Sequence, residues 1–160
     1  MLEINSEGNK TKSLIGALNK ACVNSSIDDV ITALNQVALT GRSGKNRKII
    51  GVIMYVVSEH YQVPINNIKK SNKRGVTTKA RAFCGYFMYN LLDDTSYQDI
   101  AVYFGRSKTV FGTSIPYIQE VIDRSKDKHI TLSIIDKQAH FDWNILNEKI
   151  NKHINNGELL

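Results

Sequence analysis

The sequence predicts an all-α fold, a small helical bundle containing a helix-turn-helix, and three observations carry that prediction. Apolar residues recur at three- and four-residue spacing through most of the 160-residue chain, and no stretch reads as a strand. Polar segments holding Gly, Pro, Asn and Ser punctuate those apolar patterns at intervals suited to short helices. Finally, "SYQDIAVYFGRSKTVFG", residues 96–112, sets two short apolar-patterned segments on either side of a glycine. An apolar fraction of 42% suffices for a modest core, so one domain with appendages is expected.

From the N-terminus, Leu14, Ile15, Leu18 and Cys22 form one helical stripe, and Ile27, Val30, Ile31, Leu34 and Val37 another. "NSSIDD" separates them: Ser25 or Ser26 suits a helix cap, and Asp28 and Asp29 suit the positive end of the helix dipole. "TGRSGKNRK" is a basic connection and the best domain boundary. A helix from about Arg47 to Tyr61 follows, apolar over a wide arc and therefore expected deep in the core. "QVPINNIKKSNKRGVTTK" breaks the periodicity and reads as a basic loop. From Thr77 or Thr78 to Leu92 a helix turns Ala80, Phe83, Cys84, Phe87, Met88 and Leu91 inward. Its first turn holds Lys79 and Arg81, cations that the helix dipole disfavours there.

Ser96 and Asp99 form a capping box, which starts a short helix ending near Tyr103 or Phe104. Gly105 supplies the tight turn. Ile100, Ala101 and Phe104 face Phe111, Ile115 and Ile118 of the next helix, whose N-terminal Ser107, Lys108 and Thr109 are polar. In a helix-turn-helix those first residues of the second helix enter the major groove. A lysine donates to guanine acceptors, and a threonine offers its hydroxyl or its methyl. Pro116 removes a backbone bond and is expected to kink or shorten this helix. After the charged connector "DRSKDKH", a last helix from Thr131 to about Ile154 carries Leu132, Ile135, Phe141, Ile145, Leu146 and Ile150.

Charge points to a polyanionic partner. Lys and Arg total 21 against 15 Asp and Glu, a net charge of +6. From Arg42 to Arg81 the cations Arg42, Lys45, Arg47, Lys48, Lys69, Lys70, Lys73, Arg74, Lys79 and Arg81 meet a single acid, Glu59. A basic loop, a basic helix start and a polar second helix in one unit fit a surface that tracks phosphates.

From Lys48 to Val121 the residues resemble the C-terminal DNA-binding domain of the bacterial replication initiator DnaA. The resemblance rests on "SEHYQVPINNI", "KKSNKRG", "KARAFCGYFMYNLL" and "SYQDIAVYFGRSKTV", in that order. It implies that Lys73 or Arg74 enters a minor groove, that Arg81 approaches the DNA, and that Arg106 and Thr109 match the family's signature arginine and first threonine. Ser107 and Lys108 replace the signature's Asp-His, Val110 its second Thr, and Ala82 a reading glutamine, while one glycine is missing before Arg106. A target other than the initiator's own box follows. The candidate DNA-binding residues are Lys69, Lys70, Lys73, Arg74, Lys79, Arg81, Arg106, Ser107, Lys108 and Thr109, and the partner implied is double-stranded DNA.

Enzyme readings fail on spacing. A phosphate-binding loop at "TGRSGKN" needs glycine where Leu39 stands and Ser or Thr where Asn46 stands. His60, His129, His140 and His153 are scattered, "DD" at 93–94 reads as a loop, and Cys22 and Cys84 lack metal-ligand or disulfide spacing. No catalysis, cofactor or metal is expected. No apolar run approaches a bilayer span, and the N-terminus lacks a signal-peptide pattern, so a cytoplasmic, nucleoid-associated protein is expected. The expected organisation is an N-terminal helical pair and linker over 1–45, the DnaA-like domain over 46–125, and a connector with the C-terminal helix over 126–160. Without the family's ATPase module in this sequence, the expected role is regulation of replication or transcription, as a phage or mobile-element protein. The competing class is a structural or interaction module, with a protein partner or self-association through the end helices.

Overall fold

The computed structural model describes residues 44–70 and 75–156. The predicted N-terminal helical pair, and Lys73 and Arg74 of the basic loop, lie outside the described residues. Within them the chain forms six helices and no strand: α1 (Gly44–Tyr61), α2 (Ile65–Lys70), α3 (Val76–Leu91), α4 (Tyr97–Tyr103), α5 (Lys108–Ser125) and α6 (Ile134–Asn155). The all-α bundle read from the periodicity is the fold observed.

The wide apolar arc of α1 does what its sequence demands. Ile49, Ile50, Val52, Ile53, Val56 and Val57 are all buried, and α1 packs on α3 along one side and on α6 along the other. Helix α3 contributes Ala80, Phe83, Cys84, Phe87 and Met88 to the same cluster, and α5 contributes Phe111, Ile115, Ile118 and Ile122. At the crossing of α3 and α5, Gly85 admits the Phe111 ring so closely that a Cβ there would stand 2.5 and 2.6 Å from ring carbons. Burial pushes the Cys84 thiol well above its ordinary range, so it behaves as a small apolar side chain.

Three sequence expectations need correction. First, "PINNIKK" is not loop but the helix α2, begun by Pro64, whose carbonyl accepts from the N–H groups of Asn67 and Ile68 at 2.8 and 3.1 Å. Fully buried Ile68 anchors it, and a proline ahead of a first turn has no bond to lose. Second, Pro116 does not shorten α5, which runs to Ser125. Pro116 and Gly112, four residues earlier, are both exposed, so the carbonyl deprived of its partner lies on the watered side of the helix. Third, the last helix begins at Ile134 and not at Thr131, and of the apolar residues named for it Ile135 and Phe141 stay 72% and 58% exposed.

The rest of α6 belongs to the core. Leu146 and Ile150 are fully buried in the cluster built by α1, α3 and α5. Ser133 caps the helix by accepting from the Asp136 N–H at 3.1 Å, and the nearly buried Asp136 carboxylate takes the Tyr117 hydroxyl at 2.8 Å and Arg124 at 3.4 Å. Further along the helix Asp142, 3% exposed, gathers four groups. Tyr61 and Gln138 donate to it at 2.9 Å each, Lys79 Nζ lies at 3.1 Å and His60 Nε2 at 3.2 Å. Burial alone would raise this carboxyl, but the bonds from Tyr61, Gln138, His60 and Lys79 outweigh it and hold it below the ordinary carboxylate range.

Candidate nucleic-acid interface

Helix α4 begins with the capping box expected from Ser96 and Asp99. Ser96 Oγ accepts from the Asp99 N–H at 3.2 Å, and the Asp99 carboxylate accepts from the Ser96 N–H at 2.9 Å. The helix ends in a paired closure: the Gly105 N–H donates to the Val102 carbonyl at 3.1 Å and the Arg106 N–H to the Ala101 carbonyl at 2.8 Å. That closure needs a left-handed residue at Gly105, whose φ is +58°. Phe104, just before it, stacks on Phe111 with ring centroids 5.5 Å apart. The turn thereby fixes the angle at which α5 leaves the core.

Ser107, Lys108, Thr109 and Val110 are all exposed at the start of α5. Thr113, one turn on, is exposed as well, and its hydroxyl donates to the Thr109 carbonyl at 2.9 Å. Sequence and structure agree that this helix turns its first turn outward and its Phe111, Ile115 and Ile118 stripe inward.

The remaining cations separate into two groups. Lys70 is exposed, and Lys69 is half-buried with its ammonium 5.1 Å from the centre of the Tyr103 ring. Burial, then the neighbouring Lys70, pulls the Lys69 ammonium below its ordinary value. Lys79 and Arg81, by contrast, turn to protein acceptors; with the helix beginning at Val76, Lys79 stands in its first turn and Arg81 beyond it. Lys79 pairs with Asp142, as above. Arg81 is 5% exposed, and its Nε and Nη2 donate to the carbonyls of Ile68 and Asn67 at 2.7 and 3.4 Å. Those carbonyls belong to α2, so Arg81 props the helix that leads into the basic segment. Burial, then Arg106 nearby, lowers the Arg81 guanidinium from its ordinary value.

Arg106 completes the assembly. From the turn before α5 its Nη2 reaches the Lys70 carbonyl at 3.4 Å, so α2, the turn and the start of α5 are joined by side-chain to backbone bonds. Sequence reading finds Arg106 but not this bond across 36 positions, and nothing in local spacing signals it.

Two helices joined through a left-handed glycine, the second presenting polar residues beside a basic segment, are the parts of a helix-turn-helix. Residues 50–118 match the family model described as the bacterial DnaA protein helix-turn-helix. This segment is a DnaA-type helix-turn-helix. The match spans α1 to the middle of α5, less than half of the 160 residues. Comparison with curated proteins and with solved structures finds no match. DnaA helix-turn-helix domains bind double-stranded DNA, and DNA binding is the function that the match suggests here. Among the described residues no three His, Cys, Asp or Glu side chains are grouped to hold a metal ion, and no helix is long and apolar enough to cross a membrane.

Proposed function

We propose that this protein is a sequence-specific binder of duplex DNA that reads its site from the start of α5 and regulates replication or transcription. One observation supports this reading above the others: Ser107, Lys108 and Thr109 stand exposed at the start of the second helix of a DnaA-type helix-turn-helix, on a turn that Arg106 ties to the basic segment. In the proposed roles, Lys108 and Thr109 address base edges, Ser107 and Arg106 hold the approach, and Lys69, Lys70, Lys73 and Arg74 take phosphates or a groove edge. Lys79 and Arg81 act one step behind, by positioning α3 and α2. Ile134 and Ile135 at 86% and 72% exposed, with Phe141, favour a second reading in which α6 also meets a protein partner or a second copy.

Selection of bound duplexes from a random pool tests the main reading. One enriched motif is expected, with Lys108→Ala plus Thr109→Ala eroding the preference for it by about 1–3 kcal/mol for each base pair no longer read. Lys69→Ala plus Lys70→Ala should instead weaken all duplexes alike and flatten the salt slope, by about 0.9 for each phosphate left unneutralised. Retention of duplexes without enrichment would favour the structural alternative.

A further inference from the structure

A shallow groove of about 700 Å³ opens beside the start of α5 and is lined by Lys108, by Tyr89, Asn90 and Leu92 at the end of α3, by Asp94, Thr95 and Ser96 of the connection, and by Tyr97 at the start of α4, so that one cation and one acid share its rim. Its aromatic wall is unusual for a surface. Tyr89 and Tyr97 lie ring against ring with centroids 4.6 Å apart and a 43° tilt, and Tyr89 is 41% exposed although buried Met88 and Leu92 lie on either side of it in the chain. Asn90 and Thr95 are locked in place, because the Asn90 amide donates to the Tyr86 carbonyl at 2.8 Å and the Thr95 hydroxyl to the Asp93 carbonyl at 3.3 Å. Burial, followed by the neighbouring Tyr89, raises the Tyr97 phenol above its ordinary value.

Aromatic faces held beside a cation at the surface suit one chemistry above others. A nucleobase stacks on a tyrosine face whatever its identity. Bases paired inside a duplex are already stacked on each other and present only their edges, so the exposed surface of Tyr89 fits an unpaired base. We propose that the Tyr89–Tyr97 groove seats one unpaired nucleobase from the strand that continues past the duplex bound at α5. The proposal rests on α5 being the duplex-binding helix, because Lys108 belongs both to that helix and to the groove. It adds a contact with nucleic acid that is insensitive to base identity and distinct from reading in the major groove.

The test uses the full chain and three probes of the same random-sequence duplex: blunt, with an unpaired 2-aminopurine nucleotide at one end, and with an internal single-base 2-aminopurine bulge. Stacking on tyrosine should quench the 2-aminopurine fluorescence, and the unpaired probes should bind more tightly than the blunt one. Tyr89→Ala should abolish the quenching and remove about tenfold or more of affinity for the unpaired probes, while blunt-duplex affinity stays as in the parent. Tyr89→Trp, which keeps a flat face, should retain the preference, and far-ultraviolet circular dichroism should show the same helix content in both variants. Equal affinity for all three probes without quenching overturns the proposal, as does equal loss by Tyr89→Ala on blunt and unpaired probes, which would make the groove a seat for duplex backbone. The reading beneath it fails separately: blunt-duplex binding untouched by Lys108→Ala with Thr109→Ala would remove α5 from the interface altogether.

Discussion

Gly85 and Gly105 are both needed, for opposite reasons, and the contrast can be measured. At Gly105 a Cβ would meet open space, yet φ is +58°, so the penalty of Gly105→Ala is wholly conformational, about 1–2 kcal/mol. At Gly85 the backbone is ordinary helix, where alanine would by itself gain about 1 kcal/mol, but the Phe111 ring stands 2.5 Å from the added carbon. Gly85→Ala should therefore lower stability by about 1–3 kcal/mol through overpacking, and Gly85→Ala combined with Phe111→Leu should recover part of that loss. Denaturant unfolding of the single and double variants checks both expectations. Sequence reading reaches Gly105, because a glycine between two short apolar patterns has a turn's signature. It passes over Gly85, since a glycine inside a helix pattern shows nothing of the ring that arrives from the next helix but one. Gln62 is a third case, a non-glycine residue at φ +53° where α1 ends, with the Val63 N–H donating back to the Ser58 carbonyl at 3.1 Å. Gln62→Gly should stabilise the protein by up to about 1 kcal/mol by relieving that left-handed strain.

Among the elements, α6 departs furthest from what its sequence announces. Its amphipathic stripe is legible, and the burial of Leu146 and Ile150 agrees with it. The polar half of its attachment is not, because Asp142 draws on Tyr61, His60 and Lys79 from two distant helices, and long-range pairs leave no periodic trace. Asp142 should show itself in the acid limb of stability. Its carboxyl is held low in the folded chain and returns to about 3.9 when unfolded. The stability it contributes is thus complete above that value and is lost as pH falls through the lower folded value. Thermal melts of the parent should fall steeply below about pH 4, whereas Asp142→Asn should begin lower at neutral pH and lose less on acidification. At neutral pH the cost of Asp142→Ala, which strands buried donors, should be on the order of 1–3 kcal/mol.

For the whole molecule, the matched segment and the folded unit are not the same length. The sequence suggests that everything after about Lys126 is an appendage, since the resemblance stops before it. Yet α6 packs on α1 and places Leu146 and Ile150 in the core, so a fragment ending at Lys128 would take both out of the cluster and leave Tyr61 and Lys79 without their acceptor. Such a fragment should lose the cooperative melting transition that a fragment from Gly44 to Asn156 retains, with the fluorescence of Trp143 reporting the melt of the longer one. Spacing and charge are enough to find the helix order and the outward face of α5, while the couplings between elements emerge only once the helices are assembled. One such coupling bears on chimeras. Because Arg106 fastens the turn to the Lys70 carbonyl, and Arg81 donates to the α2 carbonyl of Ile68, the residues proposed to meet DNA are not a detachable cassette. Transplanting only the first turn of α5 into a related scaffold should carry over little of its preference, whereas moving α2, Arg81 and the Arg106 turn together with it should carry most. Evolution of a new target within this lineage would have to change the two surfaces in concert.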